Sequence, residues 1–255
     1  MIQLARLTKR YGDTTVVDDV SLDVSEGELV VLLGESGSGK TTTLKMINRL
    51  IEPTHGVVRI DGEDVRELPA YEVRRRVGYV FQRVGLFPHM TVAENVAVTP
   101  QLLGWDPTRV RSRVEELLAM VGLEASEFAD RFPHQLSGGQ LQRVGVARAM
   151  AAAPRLMLLD EPFGALDPIT RDRLQQSFLE IRAASGVTAV FVTHDMVEAL
   201  LLADRIGVMR GGRLLQVGSP SELLRSPADP YVREVLATPR RQADAIRSLS
   251  GGESS

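Results

Sequence analysis

The chain of 255 residues holds 44% hydrophobic and 25% charged residues, 22 glycines and 13 prolines, a balance that fits one large folded domain or two small ones and excludes disordered, collagen-like and coiled-coil chains. A formal charge of −3 gives no basic footprint of the kind a dedicated nucleic-acid binder shows, and zero cysteines exclude a disulfide scaffold, a thiol nucleophile and a thiolate-bound metal. No run approaches the roughly 18 apolar residues of a membrane span, and Met1–Gly12 has basic residues without an apolar segment behind them, so a place in the cytoplasm is expected.

In chain order, the apolar and β-branched runs Ile2–Leu7, Val16–Val24 and Glu28–Leu33 predict strands separated by turn-like glycines. After Gly39 the period changes to 3.6, with Leu44, Ile47 and Leu50 or Ile51 on one face, which predicts a helix that stops before Pro53. Gly56–Ile60 and Val77–Phe81 read as further strands, and Thr91 to about Met150 as helices, marked by Val110, Val114, Leu117, Leu118 and Val121. Alternation then resumes: strand Leu156–Asp160, helix Ile169–Ala184, strand Thr188–Thr193, helix Met196–Leu202, strands Ile206–Met209 and Leu214–Val217. That order predicts an α/β fold with a parallel sheet, interrupted by a helical insertion. Short helical pieces broken by Pro220, Pro227, Pro230 and Pro239 follow, and a polar tail ending in Ser250–Ser255 is expected to be disordered.

Three segments carry chemistry. Gly34-Glu35-Ser36-Gly37-Ser38-Gly39-Lys40-Thr41 matches G-x-x-x-x-G-K-[ST] between a strand and a helix. Its glycines let the backbone wrap a phosphate chain, the amides from about Gly37 to Thr42 face the anion, Lys40 reaches the β- and γ-phosphates, and Thr41 offers a hydroxyl to Mg²⁺. Lysine stands at only Lys9, Lys40 and Lys45 in a chain otherwise using arginine, so the compact ammonium at 40 is a specific choice. The apolar run Leu156–Leu159 ends in Asp160-Glu161: Asp160 is placed to hold Mg²⁺ through water and Glu161 to activate the attacking water. Leu136-Ser137-Gly138-Gly139-Gln140 opens a helix and makes a second phosphate-binding N-terminus. One nucleotide does not need two cradles, so this one is expected to grip ATP held by another copy of the chain. His55, His89, His134 and His194 show no metal-ligand spacing.

With these three segments the chain resembles the ATP-binding-cassette (ABC) ATPases from Ile2 to about Pro239. The resemblance implies a P-loop NTPase cassette with a RecA-like core, an N-terminal antiparallel β subdomain and an α-helical subdomain inserted at about 91–150, all one domain over 1–239, followed by the tail 240–255. It implies that Tyr11 stacks on adenine and that Gly34 to Thr42 hold the phosphates. Gln82 would contact Mg²⁺ and water, Asp167 would lie in a loop (Ala165-Leu166-Asp167) at the seam of the dimer, and His194 would hold the γ-phosphate. The implied metal set is Thr41, Gln82 and Asp160, and the implied catalytic set Glu161, His194 and Gln82. The implied assembly is a head-to-tail homodimer with ATP at its interface, peripheral on the cytoplasmic face of the membrane and bound to permease subunits that receive cargo from an external binding protein.

A narrower resemblance lies outside the shared motifs. Lys45–Thr54, Val84–Asn95 and Leu102–Trp105 look like the ATPase subunits of bacterial importers for glycine betaine, carnitine and choline, in which Leu86–Met90 docks a permease helix and Phe87, Pro88 and Met90 would line a small apolar pocket. Some members of that group carry a regulatory pair of C-terminal CBS modules, which a chain of 255 residues is expected to be too short to contain. Amino-acid import is the alternative cargo. A soluble ABC ATPase acting on DNA or ribosomes is disfavoured by the short interval from Lys40 to Leu136 and the single copy of each motif; Arg74–Arg76 and Arg240-Arg241 are the trace that speaks for it, and such short runs are usually solvated faces.

Overall fold

The computed structural model describes residues 1–82, 85–164, 166–237 and 241. In chain order its elements begin β1 (Ile2–Tyr11), β2 (Thr14–Val24), β3 (Leu29–Leu33), α1 (Lys40–Ile47), β4 (His55–Ile60), β5 (Glu63–Asp64), α2 (Ala70–Arg76) and β6 (Val77–Val80). Next come α3 (Val92–Leu102), α4 (Pro107–Met120), α5 (Ala125–Phe128), a 3₁₀ turn at Pro133–Gln135 and α6 (Gly138–Met150). The remainder is β7 (Leu156–Asp160), α7 (Pro168–Ser185), β8 (Thr188–Thr193), α8 (Met196–Leu202), β9 (Arg205–Arg210), β10 (Arg213–Gly218) and α9 (Pro220–Arg225), with helical residues 230–237 after it. The expected tail from 240, Val84 and Ala165 lie outside the described residues, apart from 241.

The strands form two sheets. Those that alternate in burial, β1 and β2, join β4 and β5 in an antiparallel sheet of order β2-β1-β4-β5. The continuously apolar ones, β3, β7 and β8, lie fully buried inside a second sheet of order β10-β9-β3-β8-β7-β6, parallel from β9 to β6. Strands buried on both faces need no alternation, which is the pattern of parallel sheets covered on two sides. Their two faces nevertheless belong to different cores. Leu29, Val31, Leu33, Leu159, Phe191 and Val208 pack with α3, α4, α6, α7 and α8. Val30, Leu32, Leu158, Val190 and Val192 pack with α1 and the antiparallel sheet. Among the described residues, no helix is long and apolar enough to cross a membrane.

The structure departs from the sequence reading at three places. The helix after Gly39 ends at Ile47 rather than before Pro53, because Arg49 takes a left-handed φ of 50° and the Leu50 amide donates back to the Lys45 carbonyl at 2.9 Å. This helix-ending motif ordinarily uses glycine. Arg49 is held in it by donating to the carbonyls of Val65 and Leu68 and to the Glu52 carboxylate, and Leu50 is left exposed. Second, β10 runs antiparallel to β9 as a hairpin, since only Arg210 to Arg213 with two left-handed glycines separates them. Third, α2 and β5 were not legible as elements, being short and rich in charge.

Phe191 is completely buried and stands 5.7 Å from the Phe163 ring, so Phe191→Ala is expected to cost about 3–5 kcal/mol in chemical denaturation. Tyr79 offers the contrast: its hydroxyl is buried without a hydrogen-bond partner among the described residues, and burial raises its pKa far above the ordinary tyrosine value. Tyr79→Phe is therefore expected to leave the melting temperature unchanged or raise it, and a clear drop would mean that the hydroxyl is paired.

Candidate functional site

Parallel pairing sets the carboxyl ends of β3, β8, β7 and β6 side by side, and a site at those ends is the general rule for open α/β sheets. Leu33 is opposite Thr193, Asp160 opposite Val192, and Val80 opposite Leu159. The residues that follow these strands, Gly34, His194, Glu161 and Gln82, therefore emerge together. Sequence reading placed them in four separate segments.

The loop from Gly34 to Gly39 takes its shape from its glycines. Gly37 and Gly39 have φ of 82° and 100°, and a Cβ at Gly39 would stand 2.7 Å from the Val16 carbonyl of β2. A Cβ at Gly34 would run into the Met209 carbonyl of β9. The buried Lys40 side chain bends back over the loop, donating to the carbonyls of Gly34 at 2.7 Å and Glu35 at 2.8 Å. Burial lowers its pKa, opposed by the nearby carboxylates of Glu161, Asp160 and Glu35. Thr41 Oγ1 donates to Asp160 Oδ1 at 2.7 Å and ties the first turn of α1 to the end of β7.

Glu161 leaves β7 with a left-handed φ of 47°, a conformation that costs a non-glycine residue on the order of 1–3 kcal/mol and often marks a functional site. Its amide still donates to the Val192 carbonyl, while the carboxylate is held on both sides, by Gln82 Nε2 at 3.3 Å and His194 Nδ1 at 3.3 Å. Gln82, Glu161 and His194 thus form one group, with Asp160 and Thr41 beside it and Lys40 near enough to feel both acids.

Other anticipated residues stand apart within one chain. Ser137 caps α6: its hydroxyl accepts the Gln140 amide at 3.3 Å and the Gln140 side chain accepts the Ser137 amide at 2.8 Å. Among the described residues the side chains of Ser137 and Gln140 hydrogen-bond within this cap, and a Cβ at Gly139 would meet Leu166, not the 34–42 loop. Asp167 caps α7, accepting the Thr170 amide, and these bonds keep its carboxyl below the usual range. Tyr11 is half-exposed at the tip of the β1–β2 hairpin, under the Lys9 ammonium, on the same hairpin as the Val16 that abuts Gly39. Ser36 and Thr42 lie in the loop and in α1 as expected. Of the three residues expected to line an apolar pocket, only Phe87 does. It borders a cavity of about 430 Å³ with Leu50, Phe81 and Val98, which Arg74, Arg75 and Arg148 also line so that its wall is mixed, whereas Pro88 is exposed and Met90 half-buried outside it.

Sequence reading missed the residues that hold these groups in place. The fully buried Asn95 accepts the Phe87 amide and donates to the carbonyls of Phe87, Met90 and Thr91, organising the segment after Gln82. Tyr231 accepts the Glu35 amide at 3.3 Å, bringing the C-terminal helical residues against the glycine loop. Neither carries a motif: Asn95 acts on the turn just before it in the chain, and Tyr231 on a loop far away in sequence.

Asp160 is only 2% exposed, and burial raises its carboxyl pKa against the opposing Thr41 hydrogen bond and the charge of Lys45. Above that raised pKa the folded protein holds a buried charge that the unfolded chain solvates freely, so the ionised form weakens the fold. Asp160→Asn, whose amide oxygen can still accept from Thr41, is expected to raise the melting temperature at pH 7 by about 2 °C or more. The gain should vanish as pH falls through the raised pKa toward the ordinary aspartate value, and differential scanning calorimetry across pH 3–8 reads it.

The family described as ABC transporter matches residues 17–164. The glycine betaine/carnitine/choline transport ATP-binding protein OpuCA of Bacillus subtilis is 51% identical over 241 residues, covering 94% of this chain and 63% of that protein. The glycine betaine uptake system ATP-binding protein YehX of Escherichia coli is 52% identical over 250 residues, covering 98% of this chain and 80% of its own length. The chain therefore spans a little under two thirds of the length of its Bacillus relative. Among solved structures, the ATP-binding cassette MJ0796, dimeric in a post-hydrolysis state bound to ADP and Pi, superposes with a TM-score of 0.80 at 37% identity over 86% of this chain and 99% of that one. With the glycine loop, the Asp160-Glu161 strand end and the capped Ser137 helix assembled on this sheet, the chain belongs to the ABC transporter family.

Proposed function

We propose that this chain binds and hydrolyses ATP to drive an importer of quaternary ammonium osmoprotectants. The observation that carries the hydrolytic part is the convergence of Gln82, Glu161 and His194 on one point beside Lys40, Thr41 and Asp160. The amides and ammonium of the 34–42 loop bind the phosphates. Glu161, with one oxygen toward Gln82 and the other toward His194, takes a proton from the attacking water, and His194 orients the terminal phosphate.

Mg²⁺ fits the residues present: Thr41 Oγ1 and the Asp160 carboxylate are hard oxygen donors held together by their hydrogen bond, and Gln82, in contact with the adjacent Glu161, adds an amide oxygen. No cluster of three acidic or histidine ligands occurs among the described residues, which suits a metal that takes most of its shell from water and phosphate. When bound, the ion offsets phosphate charge.

Two copies in head-to-tail arrangement complete each other's site, because Ser137–Gln140 lies exposed or half-buried away from its own glycine loop and offers a helix N-terminus to a partner's nucleotide. The dimeric cassette with ADP and Pi supports this reading. The cavity beside Phe87, lined by Leu50, Phe81 and Val98 together with Arg74, Arg75 and Arg148, supports reading it as the dock for a permease helix, with the chain peripheral on the cytoplasmic face of the membrane. Cargo choice lies with the permease and its external binding protein. The betaine, carnitine and choline assignment rests on the relatives at about half identity.

Lys40→Ala is expected to weaken ATP binding at least ~10-fold, about 1.4 kcal/mol, in a fluorescent-nucleotide titration. Glu161→Gln should retain binding yet hydrolyse ~10²-fold more slowly or worse, and gel filtration with ATP should show a trapped dimer. Normal turnover in either variant overturns the site. Cells with and without the gene are then compared for uptake of labelled betaine, carnitine, choline, proline and histidine at normal and raised osmolarity. Loss confined to the quaternary amines is expected, whereas loss confined to the amino acids overturns the cargo and leaves the hydrolytic site standing.

A further inference from the structure

Behind His194 lies a set of contacts that phosphate binding does not use. His194 is itself largely exposed, and among the described residues the one polar contact of its ring is Glu161 Oε1 at 3.3 Å, so its direction depends on the backbone of the turn that carries it. Asp195, the next residue, fastens that turn downward. Its amide donates to Thr193 Oγ1 at 3.0 Å, and its Oδ1 accepts the amides of Val197 and Glu198 at the start of α8. The second carboxylate oxygen, Oδ2, accepts Arg171 Nη1 at 3.3 Å from the neighbouring helix α7.

Arg171 is a bridge. Its other terminal nitrogen, Nη2, donates to the carbonyl of Leu166 at 3.4 Å, just before α7, and its Nε is buried without a partner among the described residues. One guanidinium fork therefore spans two acceptors on two different loops, a geometry that a lysine ammonium cannot reproduce with the same rigidity. One turn further along α7, Gln175 Nε2 donates to Glu198 Oε1 at 2.9 Å, with both residues at least nine-tenths buried. Burial pushes the Glu198 carboxyl up, while hydrogen bonds from Thr193 and Gln175 hold it in place. Thus α7 grips the His194 turn at two successive turns of helix, the first grip also reaching the Leu166 loop.

We propose that Arg171 is a positioning residue that locks the turn carrying His194 to the Leu166–Asp167 loop, with the Gln175–Glu198 pair as its buried second fastening. A shift of the Leu166 carbonyl then either drags the guanidinium from Asp195 or carries the His194 turn with it. The inference rests on the ATPase reading, in which this loop meets a second copy: the partner's approach sets the loop, and through Arg171 the loop sets whether His194 faces Glu161. Hydrolysis thereby becomes conditional on a correctly seated dimer.

The test uses the full chain with Arg171→Ala, Arg171→Lys and Asp195→Asn, the last chosen because asparagine still caps α8. The ring signals of His194 are recorded by NMR on protein with ¹⁵N-labelled histidine in the absence of nucleotide, and kcat and KM for ATP in the presence of Mg²⁺. In Arg171→Ala the His194 signals are expected to shift or broaden, with kcat falling roughly tenfold or more and KM staying within about twofold. Arg171→Lys should recover part of the loss, and Asp195→Asn should add little to Arg171→Ala, since both cut one linkage. Melting curves within a few degrees of the parent confirm that each variant is folded. Unchanged His194 signals in Arg171→Ala, or fully additive losses in the double variant, overturn the proposal. Should the parent protein fail to hydrolyse ATP, the ATPase reading falls, while the nucleotide-free His194 signals still decide whether the lock exists.

Discussion

Everything at the site depends on the register of β7 against its neighbours. Along β7, Leu156 and Leu158 face the core beneath α1, and Met157 and Leu159 face the core of the helices. By the same period of two, Asp160 falls on the α1 side, where Thr41 meets it at 2.7 Å. A slip by one residue would send Asp160 into the opposite core and leave Thr41 facing a leucine. The next residue would return to the helical side if the strand continued. The left-handed φ of Glu161 prevents that, ending the strand while its amide keeps one more ladder bond to Val192. The carboxylate is thereby turned toward Gln82 and His194. Parity also divides β8, whose Val190 and Val192 face the α1 side while Phe191 faces the helices, as does the Thr193 hydroxyl that meets Glu198.

The helices between β6 and β7 are tied to the same strand ends by few polar contacts. α6 begins at the Ser137 cap and spans about 20 Å at 1.5 Å per residue. Near its far end Arg148 donates to the Gly85 carbonyl at 2.9 Å. Gly85 lies just beyond Gln82 in the chain, and Asn95 fixes the backbone of Phe87 to Thr91 from the other side. A displacement at the Phe87 cavity therefore has a mechanical route through Arg148 to the helix that Ser137 caps.

Much of this was legible in the sequence because it follows local rules. The glycine loop needs left-handed and Cβ-free positions, so its residue types announce it, and the buried parallel strands announce themselves as unbroken apolar runs. Illegible features are those in which tertiary contacts outvote local preference. Arg49 ends α1 in a conformation suited to glycine because two distant carbonyls and Glu52 hold its side chain there. Asn95, Arg171, Gln175 and Glu198 look like ordinary polar helix residues. Their roles appear only once α3 is folded against the 86–90 segment and α7 against α8.

The charges of the site explain why lysine stands at 40 in a chain that otherwise uses arginine almost throughout. The ammonium sits buried between two carbonyls at 2.7 and 2.8 Å, inside a loop whose glycines leave room for little else. Three carboxylates, those of Glu161, Asp160 and Glu35, favour its charged form against desolvation, and the charges of Lys45 and Lys40 in turn oppose the burial that raises Asp160. The two lysines thus favour the ionised form of Asp160, while burial and the neighbouring Glu161 oppose it. A guanidinium carries the same charge but spreads it over a planar fork that needs several in-plane acceptors. Two carbonyls at the base of a tight turn cannot supply them, and the fork would press into Ser38, which is itself buried. A compact, rotatable point charge can exchange those two carbonyls for the oxygens of an incoming anion by turning about its terminal bonds, without moving the loop. The same exchange with arginine would require the glycine backbone to open, and the Gly34 and Gly39 approaches to β9 and β2 leave it no space to do so.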